Sequence, residues 1–212
     1  LAQNKIEQNL YSIKHMEKKN LYNFFHSFEP IYEEIDIQSR VNHPNIIQLL
    51  YCKETDNVFD LIMEYAPGGS LFDYIIKCKG LPEKVSYKYF IQIANAIKFL
   101  HENNIIHRDI KPENILLFNE NLVKLCDFGW AIQIENKLPP DSFFGTAEYM
   151  SPEILNHHSF GKESDIWTLG ILLYELMHAF SPFRPKKPKF EESELIESIR
   201  QHNLTIYMPM SE

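Results

Sequence analysis

The sequence predicts an α+β chain of two unequal units, a small strand-rich one over residues 1–65 and a larger helix-rich one over 66–212. Three observations predict it. Ala66-Pro67-Gly68-Gly69 sets two glycines beside a proline, the composition of a connector between packed units. Before it, β-rich runs at Tyr11-Ser12-Ile13-Lys14 and Val58–Met63 flank one helical stretch. After it, the apolar spacing becomes helical.

The elements follow in order. Pro30–Val41 reads as a helix, with Ile31, Ile35 and Ile37 supplying its apolar side. Ser70–Cys78 is a short helix. Pro82–His101 is a stronger one, because Phe90, Ile93, Ile97 and Leu100 recur at helical spacing and Pro82 suits a first turn. Short β-rich pieces follow at Asn114–Leu117 and Val123–Leu125. Ser164–His178 is apolar almost all round, which marks a buried helix. Ser181–Pro188 carries three prolines and reads as a surface loop, and Glu192–His202 as an amphipathic helix.

Composition narrows the function. The chain has 212 residues, 44% hydrophobic and 24% charged, so wholesale disorder is excluded and a substantial core is affordable. No run approaches the roughly 18 apolar residues of a membrane span. The net charge of -8 opposes nucleic-acid binding and suits basic partners. Cys52, Cys78 and Cys126 are isolated, with neither disulfide nor metal spacing, as expected of a reducing compartment. No signal peptide opens the chain.

The chemistry concentrates in ordered motifs. His107-Arg108-Asp109-Ile110-Lys111-Pro112-Glu113-Asn114 comes first, and alone it could be a solvated loop. Asp127-Phe128-Gly129 follows a short β-like stretch. Gly145-Thr146, Ser151-Pro152-Glu153 and Asp165-Ile166-Trp167 come next, with Lys14 and Glu34 upstream on a strand and a helix. Order and spacing together resemble the eukaryotic protein kinase signature set. The resemblance implies a bilobal protein-kinase-like fold, with N- and C-lobes divided near residue 65, and ATP and Mg²⁺ as cosubstrate and cofactor. Phosphoryl transfer asks for alignment and charge neutralisation more than covalent help. By resemblance, Lys14 pairs the nucleotide phosphates and Glu34 holds Lys14. Asn114 and Asp127 hold Mg²⁺, a hard cation suited to oxygen ligands. Asp109 accepts or orients the substrate hydroxyl proton, Lys111 stabilises the transferring charge, and Thr146 closes the site. Glu64-Tyr65-Ala66 forms the adenine hinge, with Met63 as gatekeeper and Leu116 as floor. Glu113 is expected at both nucleotide and substrate. Gln38, Leu49, His107 and Phe128 are expected to stack across the lobes on Asp165.

Within that family the chain looks like the Auroras. Trp130 directly follows Asp127-Phe128-Gly129, and Glu34-Ile35-Asp36-Ile37-Gln38-Ser39 carries the polar stack residue. His43-Pro44-Asn45-Ile46-Ile47 and Glu64-Tyr65-Ala66-Pro67 also fit. The resemblance implies a serine/threonine kinase of basic substrates related to cell division. It further implies a place in cytoplasm and nucleus, at spindle- or centrosome-like structures, and an activating protein partner. The activation segment departs from the pattern. Ser142 stands where Auroras carry the phosphorylated Thr, Glu33 replaces the family's helix Arg, and Pro140 replaces a loop Arg. A phosphate on Ser142 would meet Arg108 alone, with Glu33 repelling it. Ser142 could equally be an unmodified loop serine, and Asp141 could stand in for a phosphate.

Glu113 and Glu175 match acids that basophilic kinases place around an arginine two residues before the acceptor. The chain begins at Leu1, thirteen residues before Lys14, so the glycine-rich loop and the closing C-lobe helices are expected to be missing, with Glu153 buried unpaired. Two alternatives stay open: a catalytically impaired kinase fold used as a binding scaffold, and a metal-dependent hydrolase built on Asp109, Asp127 and Asp165.

Overall fold

The computed structural model describes residues 2–3, 9–134, 147–156, 161–185, 189–202 and 204. Its first part is a four-stranded antiparallel sheet of order β1-β2-β4-β3: β1 (Ala2–Gln3), β2 (Leu10–Glu17), β3 (Leu49–Glu54) and β4 (Val58–Glu64). Lys14 lies opposite Leu61 in the β2–β4 register. Between β2 and β3 come α1 (Lys18–Phe25) and α2 (Glu29–Arg40). Pro30 lies in the first turn of α2, where its missing N–H costs nothing. One face of α2 buries Ile31 with Phe59 and Leu61 of β4. Of its other buried positions, Ile37 joins the main core, Gln38 is buried beside it, and Glu34 lines the site described below.

The connector is fastened to the larger unit. Gly68 N–H donates to Leu117 O at 2.9 Å, and Leu117 N–H returns a bond to Gly69 O at 2.9 Å. A Cβ on Gly68 would come 2.6 Å from Leu117 O, so the close approach requires glycine. Ser70 caps α3 (Leu71–Cys78) by accepting from Asp73 N–H. α4 (Glu83–Glu102) follows, and Pro82 is its N-cap rather than a first-turn residue. Ile93, Ile97 and Leu100 bury the face that their spacing marks. β5 (Ile105–Ile106) pairs with β8 (Ile132–Gln133), and β6 (Ile115–Asn119) with β7 (Leu122–Leu125). α5 (Pro152–Leu155), α6 (Lys162–His178) and α7 (Glu192–Arg200) complete the unit. α6 is buried on several faces, as its composition predicts, and packs on α4.

Four readings need correction or addition. The stretch 18–25 forms α1, whose aromatic composition carries no helix signal and which has no fully buried residue. β3 escapes an alternation test because a register shift falls between Leu49 and Tyr51. The Ser181–Pro188 stretch is not simply a surface loop. Ser181, Pro182 and Phe183 are buried, and Phe183 stacks on Trp167 at 5.4 Å with rings 5° apart. Glu153 is half-buried and has partners, so it is not the stranded charge expected.

Gly80 ends the turn after α3 at φ +95°, and an added Cβ would sit 2.1 Å from Met177 O on α6. Gly80→Ala should therefore destabilise the chain by about 2 kcal/mol or more, combining backbone strain with a backbone clash. A urea melt checks this, and a loss below about 0.5 kcal/mol would mean α3 and α6 are not held this closely.

Candidate active site

The site lies where the sheet and the helical unit meet, and each side chain is delivered by a different element. Lys14 Nζ, from the middle of β2, donates to Glu34 Oε1 on α2 at 2.7 Å and to Asp127 Oδ1 at 3.0 Å. Burial disfavours the Lys14 cation, but the charges of Glu34 and Asp127 outweigh it and hold its pKa above the ordinary value. Asp127 is the mirror case. Burial works against its carboxylate, yet Lys14 keeps its pKa below the usual range. Glu34 is almost wholly buried, and that burial raises its pKa against the pull of Lys14. Asp127 also has φ +60°, a left-handed conformation that non-glycine residues adopt at a cost.

A second group forms on the segment after β5. Lys111 Nζ donates to Asp109 Oδ1 at 2.9 Å. Asn114 Nδ2 donates to Asp109 Oδ2 at 2.7 Å and to Asp109 O at 2.9 Å. Both oxygens of Asp109 are thus oriented, and the residue is 7% exposed. The loop hangs on Asp165 at the start of α6. Asp165 Oδ2 accepts from His107 N–H at 3.0 Å and contacts His101 Nε2 at 2.8 Å, while Oδ1 accepts from Arg108 N–H at 2.9 Å. His107 is fully buried with its ring 5.0 Å from Phe128, and burial lowers its pKa so that it stays neutral.

Between the two units lies a cavity of about 330 Å³. Lys14, Glu34 and Asp127 line it, as do Leu116 and the hinge residues Glu64, Tyr65 and Ala66. Asn114 and Glu113 do not line it. Asn114 is tied instead to Asp109, and its main chain accepts from Cys126 N–H at 2.8 Å, next to Asp127. Glu113 is exposed and belongs electrostatically with Glu148 and Glu175. A second cavity of about 290 Å³ beside α6 is apolar, lined by groups such as Trp167, Ile171 and Phe183.

Lys124, which bonds a residue of the first cavity's wall, and Cys126, which lines that cavity, carry little sequence signal. Lys124 on β7 grips the Glu64 carboxylate through both oxygens at 2.7 and 2.6 Å, and Gln48 N–H adds a bond at 2.7 Å. The Glu64 side chain is thereby occupied across the hinge. Cys126 lines the cavity, and burial followed by the charge of Asp127 pushes its thiol up to about 12. Only its adjacency to Asp127 marks it in the sequence. At pH 8, alkylation of Cys126 by iodoacetamide should be at least about tenfold slower than that of the exposed Cys78, which peptide mass mapping would reveal.

Of the four-residue stack, His107 and Phe128 make direct ring contact, and Gln38 is buried. Leu49 packs in the sheet's own cluster with Ile31 and Phe59. Gln38 is tolerated there because Nε2 donates to Ile47 O at 3.2 Å and reaches Met63 Sδ at 3.7 Å. Glu175 is buried on α6 and accepts from Tyr149 O–H at 2.7 Å. Burial, with the charges of Glu148 and Glu113, raises its pKa to about 7 despite that bond. Ser142 and Thr146, with Pro140 and Asp141, lie outside the described residues.

The donor set fits a magnesium–phosphate ligand. Among the described residues no three His, Cys, Asp or Glu side chains gather into a metal cage. Asp127 is held ionised, and Asn114 spends its amide nitrogen on Asp109, which leaves its amide oxygen for a cation. Such a sparse set suits Mg²⁺, which takes one or two protein ligands and completes its shell with phosphate and water. No helix among the described residues is long and apolar enough to cross a membrane.

Comparisons with known proteins agree with this geometry. A sequence model of the protein kinase domain matches residues 1–211. An Aurora kinase of Dictyostelium discoideum is 36% identical over 214 residues, covering 100% of this chain and 53% of that protein. An Aurora kinase of Eremothecium gossypii is 35% identical over 189 residues, covering 88% of this chain and 50% of its own length. A death-associated protein kinase 2 of Mus musculus is 40% identical over 161 residues, covering 73% of this chain and 43% of that protein. The chain spans about half the length of the curated relatives it matches.

Proposed function

The chain belongs to the protein kinase domain family, and from that premise we propose that it transfers the γ-phosphoryl group of ATP to Ser or Thr hydroxyls of basic protein substrates. One observation carries the reading. Lys14 Nζ is held between Glu34 and Asp127 at the cavity wall, while Asp109, Lys111 and Asn114 are locked together on the adjoining loop. Residues 1–65 and 66–212 act as the two parts of one kinase domain in this reading.

The residues divide the work. Lys14, fixed by Glu34, meets the nucleotide phosphates without having to be ordered on binding. The hinge main chain of Glu64–Ala66 receives the base, and Leu116 packs beneath it. Asp127 and Asn114 hold Mg²⁺, which neutralises phosphate charge when bound. Asp109 accepts the proton of the substrate hydroxyl, and Lys111, already at its side, balances negative charge there. The hydrolase alternative loses its premise, since the Asp165 carboxylate is engaged by His101, His107 N–H and Arg108 N–H. An inactive scaffold would not need Lys14, Asp109, Asn114 and Asp127 all retained.

Substrate preference rests on Glu113, Glu148 and Glu175, whose charges act on one another. The reading is that they favour Arg two residues before the acceptor. With a Glu175 pKa of about 7, a substrate guanidinium must compete with a proton. The KM for such a peptide should therefore fall as pH rises from about 6 to about 8, while an Ala-substituted peptide shows a flat profile. Glu175→Gln should flatten the first profile as well. The same shift makes folding less favourable as pH rises. The native state keeps this proton up to about pH 7, whereas the unfolded chain releases it at the ordinary glutamate value.

A cell-division role, spindle- or centrosome-like localisation within cytoplasm and nucleus, and an activating protein partner rest on the Aurora likeness alone. Imaging of the tagged protein through division tests them, and a distribution indifferent to division would count against them. A peptide array incubated with ATP and Mg²⁺ tests the biochemical reading. Label should enter Ser and Thr peptides with Arg at the second upstream position, and absence of label from every peptide would refute it.

A further inference from the structure

The ring of Trp130 takes no part in the proposed chemistry, yet contacts from both units hold that residue. We propose that Trp130 is a positioning residue: its ring on helix α1 and its carbonyl on Arg108 pin the turn Asp127–Trp130, and so fix where the Asp127 carboxylate stands. The turn is held at its first end by the larger unit. Phe128 is fully buried in the main core, with its ring 5.0 Å from that of His107. Asp127, just before it, has φ +60°, a conformation that persists only where the surroundings enforce it. Gly129 passes against the charged group. A Cβ on it would lie 3.3 Å from Asp127 Oδ1, 3.5 Å from Glu34 Oε2 and 3.7 Å from Lys14 Nζ. A shift of this turn therefore moves the carboxylate relative to Lys14.

The other end is held at Trp130. Its carbonyl accepts from Arg108 Nε, and Arg108 is itself tied to Asp165 through its N–H. Its ring meets Phe25, the last residue of α1, edge-on with centroids 6.1 Å apart and planes at 65°. Local structure puts Phe25 there. Leu21 and Phe25, one helical turn apart, both pack on the cluster of Ile31, Phe59 and Leu61. His26 then ends the helix at φ +56°, with its N–H on Tyr22 O. Two residues past Trp130, β8 packs on α2. Helix α1 has no fully buried residue, and the Phe25 edge is what it offers to the turn that carries Asp127.

The effect on rate rests on the kinase reading, but the holding of the turn does not, and amide hydrogen exchange over residues 127–133 tests it directly. Trp130→Ala and Phe25→Leu remove the ring contact from opposite sides, and Leu still fills space against the sheet cluster. Each should speed exchange over 127–133 about tenfold while α4 exchanges as in wild type, and the double variant should exchange no faster than Trp130→Ala. Trp130→Phe should stay within about threefold of wild type, because its ring can still meet Phe25. In the same preparations, Trp130→Ala and Phe25→Leu should each raise the Mg²⁺ concentration for half-maximal peptide phosphorylation about tenfold, with peptide KM within about twofold. A loss of packing alone would leave the Mg²⁺ dependence where it is. Exchange over 127–133 unchanged in both single variants, rate increases that multiply in the double variant, or an active Trp130→Ala with the Mg²⁺ dependence of wild type would overturn the inference. A wild-type chain that transfers no phosphate would sink the kinase reading, while the exchange result still decides whether Trp130 holds the turn.

Discussion

Asp109→Asn should lower kcat for peptide phosphorylation by about 10²–10⁴-fold, the range set by loss of a positioned proton acceptor. The substitution is nearly isosteric, so the backbone of residues 107–114 should keep its course. What changes is the acceptor. Oδ1 takes a bond from Lys111 Nζ and Oδ2 one from Asn114 Nδ2, so both oxygens face donors. An amide can satisfy only one of them and turns its own N–H groups toward the other. It also has no basic site for the hydroxyl proton. Asp109 does not line the cavity, so ATP affinity should stay within about twofold of wild type. A loss confined to kcat would separate chemistry from binding. An equal loss in ATP affinity would mean that Asp109 acts by supporting the pocket.

The second large effect is on stability. Asp165→Ala should cost about 3–5 kcal/mol. Its carboxylate is 1% exposed and accepts from two backbone N–H groups, with His101 Nε2 in contact as well. Removing it leaves the buried His107 N–H and the partly buried Arg108 N–H without their acceptor. Arg108 itself has φ +67°, and its N–H bond to Asp165 Oδ1 is part of what holds that conformation. In a chain of this size the loss corresponds to a drop in Tm of roughly 6–20 °C. Calorimetry would measure it, and a drop under about 3 °C would show that the loop does not hang on Asp165.

Much of this was legible in the sequence because catalysis fixes residue types at fixed separations. Glu34 and Asp127 lie 20 and 113 residues from Lys14 in the chain, and motif order alone brings the three together before any contact is known. Helix α4 and helix α6 were legible for a different reason: each buries enough apolar surface to show in spacing or composition. Elements that bury little did not show. Helix α1 has no fully buried residue, and β3 is broken by a register shift. Contacts between exposed-looking charges were also invisible. Nothing in Leu122–Leu125 announces that Lys124 closes on Glu64, nor in Leu172–Leu176 that Glu175 lies under Tyr149. Such pairings depend on which faces two distant elements turn to each other, and no local period encodes that.

The central claim is that the Lys14–Glu34–Asp127 and Asp109–Lys111–Asn114 groups form one phosphoryl-transfer site. Single-turnover transfer from γ-labelled ATP with Mg²⁺ to a Ser or Thr peptide carrying Arg two residues upstream tests it most directly, with wild type and Asp127→Asn side by side. The account expects label on the peptide hydroxyl with wild type and a loss of at least about 10²-fold with Asp127→Asn. Equal label from the two proteins, or ATP binding by wild type with none on peptide, would contradict it.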